Sequence, residues 1–315
     1  MKRIAIAFGA LVVLATVGSL GLTDGDVDAQ DPSSHTIAEQ YIVIVRSDFD
    51  PGQAAIDARA SHGAQVLHVY RHAINGFSFR GSAAAAEALA HNPRIISVTP
   101  DHRLSAFAPK KCDKNPNAPG CGEEAPSQSL PDGVNRIDAD LTATAASNGA
   151  APADVDVAVL DTGIDTEHTD LNVVGGANFV GGTSFSDDHG HGTHVAGTIG
   201  AIDNGQGVVG VAPGARLHAV KVLNAMGDGS DASVIAGIDW ATDPANSIEV
   251  INMSLGGLGS VVESPMRPAV KNAVAAGVVI GVAAGNECLD AAMSVPAAYD
   301  AVITVSAIDP SNDTF

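Results

Sequence analysis

Asp161 and His191 are the side chains in this sequence best placed for acid–base chemistry. Asp161 closes the apolar run Val155-Asp156-Val157-Ala158-Val159-Leu160, so it would stand at the rim of a rigid strand. His191 sits between Gly190 and Gly192 and opens a segment of small residues, Val195-Ala196-Gly197-Thr198, able to pack closely against its neighbours. A carboxylate can hold an imidazole in one tautomer and leave its other nitrogen free to take a hydroxyl proton. Asn286, after Val282-Ala283-Ala284-Gly285, would add an amide donor for a developing oxyanion, although Asn after Gly is also a common turn. Metal binding is the competing chemistry, since Asp188, His189, His191 and His194 have a spacing that zinc accepts.

These residues need elements to hold them. From residue 155 onward strands and helices alternate, with strands expected at 155–160, 216–222, 248–252, 278–283 and 301–305. Helices are expected at 191–201, 231–241 and 265–276. That alternation predicts an α/β fold, a parallel sheet with helices on both faces, whose ligands bind at the carboxyl ends of strands. Asp161, Ser254 and Asn286 all fall just past such ends. Earlier, residues 41–100 read β-α-β-β-α-β, with strands at 41–45, 66–70, 74–79 and 95–98, the split-βαβ pattern of a small ferredoxin-like α+β domain.

The aspartate segment 155–165 and the histidine segment 189–198 together resemble those of the subtilisin-like serine endopeptidases, peptidase family S8. An isolated Asp-Thr-Gly also marks aspartic proteases, but the second such unit they need is absent. The resemblance implies an Asp-His-Ser triad built on Asp161 and His191, with Asn286 in the oxyanion segment. It also implies that the strand after Asn252 binds an extended substrate through Ser254, Leu255 and Gly256, with Asn224 to Gly227 as the opposite wall. Gly256 would clear the way for the residue before the scissile bond, and Asp228 and Asp231 would favour basic residues at outer subsites. The loop Asp203-Asn204-Gly205-Gln206-Gly207-Val208 matches the family's calcium loop. On that basis Gln128, Asp170, Ile202, Asn204, Gln206 and Val208 are expected to hold a structural Ca²⁺ through oxygen atoms. The triad serine, in a Gly-Thr-Ser-Met-Ala setting, is not within the 315 residues and is expected near position 350. Gly182-Thr183-Ser184 resembles its start but precedes His191 and lacks the following helix.

His68-Val69-Tyr70-Arg71-His72-Ala73-Ile74-Asn75-Gly76-Phe77 and Val98-Thr99-Pro100-Asp101-His102 resemble the propeptide of secreted subtilisin-like proteases. The organisation expected is a signal peptide at 1–29, a propeptide at 30–107 with its core at 41–100, and a linker at 108–126. An incomplete catalytic domain then occupies 127–315. The propeptide would act in cis, with its tail Arg103 to Phe107 in the cleft and self-cleavage after Phe107. A second trimming near Ala125 or Pro126 competes, since Ser127 to Val134 resembles a mature N-terminus. The reading is thus a secreted serine endopeptidase precursor acting on polypeptides, inactive as this 315-residue piece. The alternative is a non-catalytic truncated protein that binds or inhibits a protease.

Composition supports export. Lys2-Arg3, the uncharged stretch Ile4 to Leu22 and the small residues near Ala29 read as an export signal, with cleavage near Ala29 expected over an uncleaved anchor, and no second hydrophobic span follows. Cys112 and Cys121 flank a turn-rich stretch and form either a local disulfide or two free thiols, while Cys288 lacks a partner. A net charge of −20, with 16 basic against 36 acidic residues, argues against nucleic acid and disfavours an anionic membrane as partners. A monomer is expected.

Overall fold

The computed structural model describes residues 35–107, 127–142, 145–149, 151–258, 264–287 and 289–307. The expected signal segment, the expected linker with Cys112 and Cys121, and Cys288 lie outside the described residues. Among those described, no helix is long and apolar enough to cross a membrane.

The first domain comprises β1 (Thr36–Val45), α1 (Pro51–His62), β2 (Gln65–Tyr70), β3 (Gly76–Arg80), α2 (Ala83–Ala90) and β4 (Ile95–Ala106). Its strands pair antiparallel in the order β4-β1-β3-β2. Local chemistry sets the helix ends. Asp50 accepts from the Gln53 amide at 2.7 Å and Pro51 opens α1, while Gly63 in the left-handed region (φ 65°) ends it. Successive strand side chains point to opposite faces. Val43 and Val45 therefore join Phe77 and Phe79 under α1 and α2, whereas Ile42 and Tyr70 face away from the helices.

That second face packs on the second domain. Its elements are α3 (Asp132–Arg136), β5 (Asp156–Asp161), β6 (Val173–Asn178), α4 (His191–Gly200), β7 (Arg216–Lys221), β8 (Asp228–Ser230) and α5 (Asp231–Thr242). They continue with β9 (Val250–Met253), β10 (Leu255–Leu258), α6 (Met266–Ala275), β11 (Val279–Ala283), β12 (Ser294–Val295) and β13 (Ile303–Val305). A parallel sheet runs β13-β11-β9-β5-β7-β6. After β5 the chain goes to one side for β6 and β7, then to the other for β9. The loops leaving β5, β7 and β9 diverge there and open a crevice at the strands' carboxyl ends.

α5 is apolar nearly all round, Ala232-Ser233-Val234-Ile235-Ala236-Gly237-Ile238, which suits a helix covered on every side. It lies in one hydrophobic core that contains Ile42, Tyr70 and Leu104 of the first domain together with Leu160, Val220 and Met253 of the second. Asp239 completes the junction by accepting from the amides of Arg71 (2.9 Å), His72 (2.7 Å) and Ala73 (2.7 Å).

Three differences from the sequence expectation have physical causes. The strand expected at 95–98 continues to Ala106, because its second half pairs outside its own domain with β8 and β10. β8 (Asp-Gly-Ser) and β10 (Leu-Gly-Gly-Leu) have no strand propensity and are extended because β4 lies between them. β6 is hidden by Gly175-Gly176, where a side chain on Gly176 would collide with the Ala219 carbonyl of β7.

Candidate active site

β5 delivers Asp161, fully buried, to the crevice floor. His191 is the first residue of α4, and its Nδ1 stands 2.7 Å from Asp161 Oδ1. The approach requires Gly192, since a Cβ there would overlap the Gly163 carbonyl and come within 3.1 Å of Asp161 Cβ. Burial works against the charged form of His191, but the Asp161 hydrogen bond, the Asp161 charge and a backbone hydrogen bond with Phe107 outweigh it. The ring's pKa therefore stands above its ordinary value of 6.5.

A second layer holds this pair. The Thr162 amide donates to Asp161 Oδ1 at 2.7 Å, and Thr162 Oγ1 accepts from the Gly192 amide at 2.9 Å. That hydroxyl also donates to Asp187 Oδ1 at 2.8 Å. Asp187 further collects the amides of His189, Gly190 and Thr193, each at 2.9 Å, where the helix start favours an anion. Burial would raise its pKa, yet the Thr193 hydroxyl and these amides hold it below the ordinary value. The buried ammonium of Lys221 donates to Thr162 O (2.5 Å), Asp188 Oδ1 (2.6 Å) and Leu223 O (3.0 Å). The strand end carrying Asp161 is thereby tied to the loop leading into His191. Sequence reasoning passed over Thr162, Asp187 and Lys221. The first two adjoin the motifs, but nothing local marks Lys221.

The end of β4 fills the crevice. Ser105 and Ala106 pair with Gly256 and Leu255 on one side, and Arg103, Leu104 and Ser105 pair with Ser230, Gly229 and Asp228 on the other. The Ala106 amide donates to Gly227 O at 2.8 Å, and the Phe107 amide to Ser254 O at 3.1 Å. The Phe107 ring passes where side chains are missing: a Cβ on Gly256 would stand 2.5 Å from its Cζ, and one on Gly285 3.8 Å away. Asn224 braces the wall through its own amide to Asp228 O (2.8 Å) and its Oδ1 from Met226 N (2.8 Å). Asn286 follows Gly285 beyond β11, with its backbone amide on Glu287 Oε2 at 2.8 Å. So Ser254, Leu255, Gly256 and Gly227 border one extended segment, residues 105–107, while Asn224 stands behind it and braces Asp228.

The zinc alternative finds no common point, because Asp188 faces Lys221 while His191 faces Asp161. Asp231 does not line the substrate groove. Its side chain is buried, facing His102 Nδ1 at 3.2 Å and Ser264 Oγ at 3.4 Å, which corrects its expected role at an outer subsite.

Away from the crevice, the 202–208 loop gathers Gln128 and Asp170. The Gln128 amide donates to Ile202 O (2.9 Å) and Val208 O (3.5 Å), and the Asn204 amide donates to Asp170 Oδ1 (2.9 Å). Asn204 Oδ1 accepts from the Gln206 amide at 2.9 Å. Amide N–H groups thus meet carbonyl and carboxylate oxygens that could equally face a cation. A donor set of one carboxylate, two amides and backbone carbonyls fits a hard divalent ion.

A carboxylate–imidazole pair at the switch point of a parallel sheet, with an extended peptide laid across it, marks a serine-peptidase-type domain joined to an inhibitor-type domain. Residues 153–314 match the subtilase family, Peptidase S8, and residues 23–106 match the peptidase inhibitor I9 family. Subtilisin E of Bacillus subtilis (strain 168) is 36% identical over 91% of this chain and 70% of its own length. Subtilisin J of Geobacillus stearothermophilus is 34% identical over 96% and 74% of the two chains, and Subtilisin DY of Bacillus licheniformis is 46% identical over 59% and 67%. The chain belongs to the subtilase family.

Proposed function

We propose that this chain is the precursor of a secreted serine endopeptidase. Its signal spans residues 1–29, and residues 30–107 inhibit the domain that follows the 108–126 linker. The observation that carries this reading is the placement of Phe107: its amide is bound by Ser254, its ring lies beside Gly256, and its backbone meets His191. A peptide held there presents its carbonyl to the imidazole. In the proposed reaction His191 takes the proton of a serine hydroxyl supplied beyond residue 315 as that oxygen attacks the carbonyl carbon. Asp161 keeps the proton on Nδ1, which leaves Nε2 to accept and then steadies the imidazolium. Asn286 offers its side-chain amide to the oxyanion. The protonated ring next delivers its proton to the leaving amine, and water repeats the sequence to release the acyl group.

The same reading assigns cleavage after Phe107, polypeptide substrates and a monomeric enzyme. It assigns Ca²⁺ to Gln128, Asp170 and the 202–208 loop, where the ion would brace the segment near Ser127. The test is expression of the coding sequence carried past codon 315. That product should cut itself after Phe107 and hydrolyse casein, and His191→Ala should abolish both, while the 315-residue chain does neither. A folded, extended product that leaves the bond after Phe107 intact would overturn the proposal.

A further inference from the structure

Most of the groove recognises backbone or apolar bulk, but the Asp228 carboxylate faces the bound segment. In the β4–β8 register Ser105 stands opposite Asp228, and Ser105 Oγ donates to Asp228 Oδ1 at 3.1 Å. The platform under this carboxylate is rigid. The Asp228 amide donates to Asn224 Oδ1 at 3.1 Å and its carbonyl accepts from the Asn224 amide at 2.8 Å. Among the described residues Asp228 makes no ion pair, unlike Asp188 with Lys221 or Asp156 with Arg216. Ser105 is exposed, so a longer side chain at its position has room to extend over the carboxylate. The other charge on this stretch of the tail, Arg103, lies opposite Ser230 rather than Asp228.

We propose that Asp228 is a specificity-determining residue: the groove selects peptides with Lys or Arg at the third residue before the scissile bond and rejects Asp or Glu there. The inference rests on reading residues 103–107 as a substrate mimic. A cationic side chain at that position replaces a hydroxyl-to-carboxylate hydrogen bond by one in which donor and acceptor are both charged, whereas a carboxylate meets like charge. The protein's 36 acidic against 16 basic residues act in the same direction at longer range, raising the local concentration of cationic peptides.

The tail in cis serves as the probe, so no turnover is needed. Hydrogen exchange of the Ala106 and Phe107 amides would be measured at low salt in the 315-residue chain carrying Ser105→Lys or Ser105→Glu, each with and without Asp228→Asn. Lysine should slow exchange by about two- to fivefold, glutamate should speed it by a similar factor, and Asp228→Asn should erase both effects, as expected for a part-exposed pair. Equal rates for lysine and glutamate, or a difference that survives Asp228→Asn, would refute the selection. A Phe107→Asp chain checks the underlying reading. If it leaves both amides as protected as before, the tail is not held as a substrate and the groove assignment itself fails.

Discussion

His191 carries two opposed influences on one ring. Burial favours the neutral imidazole, while the hydrogen bond and charge of Asp161 favour the imidazolium and prevail. The sign has a consequence for pH. A pKa raised above 6.5 means the pair stabilises the fold in full below that value and loses the contribution as pH rises through the folded pKa. A base must be neutral to act, so turnover of the extended enzyme should rise across the same interval. Asp161→Asn removes the two largest influences opposing burial, leaving the Phe107 hydrogen bond and the Asp187 charge, and should lower the ring's pKa. An NMR titration of the His191 ring in the 315-residue chain reads this directly, and an unchanged pKa would dismiss Asp161 as its source. Asp161 and His191 could be found from local settings, the first closing an apolar strand and the second standing between two glycines. Lys221 could not, because its ammonium acquires meaning only when Thr162, Asp188 and Leu223 surround it.

α5 decides how the two domains hold each other. Asp239 accepts three amides from the turn after β2, and a buried carboxylate bonded in this way is costly to remove. Asp239→Ala should weaken docking of the first domain by about 3 kcal/mol, roughly a hundredfold. Protection of the β4 amides from hydrogen exchange would fall accordingly, whereas unaltered protection would show that apolar contact alone holds the domains.

The same interface carries two groups whose pKa values move in opposite senses. Asp101 accepts from the Ala232 amide at 3.0 Å and from Gln40, and faces Asp231 and the Tyr70 hydroxyl. Burial first, then the Asp231 charge, raises it from 3.8 to about 6. Its contribution is complete below pH 3.8 and is lost as pH climbs through about 6. His68, between Tyr70 and Phe179, is lowered by burial from 6.5 to about 4, so its contribution is complete above pH 6.5 and is lost as pH falls through about 4. Asp101→Asn should therefore raise the melting temperature at pH 8 more than at pH 4, and His68→Phe should do the reverse. Parallel shifts at both pH values would contradict these assignments. The helices and most strands of these domains were legible because capping residues and apolar periodicity are local signals. β8 and β10 were not, since their extended form comes from pairing.

For the chain as a unit, the 202–208 loop is the place where stability and an ion would meet. Chelation of a calcium-loaded sample should lower its melting temperature, and Asp170→Ala, which removes the one carboxylate of the set, should make the sample indifferent to chelator. A wild-type transition that ignores both calcium and chelator would remove the ion from the account.

By itself the sequence determined the family, the alternating elements and the residue types at the strand ends. Each of these is written in contiguous runs of apolar, small or capping residues, whose preferences hold wherever the segment lies. Only the tertiary structure decided that β4 leaves its own sheet and becomes the middle strand of the crevice, that α5 is enclosed by both domains, and that Asp231 turns inward while Asp228 faces the peptide. Those outcomes join residues more than a hundred positions apart. They depend on which surfaces meet and what each contact shuts off from water, and a sequence window carries no trace of its distant partner.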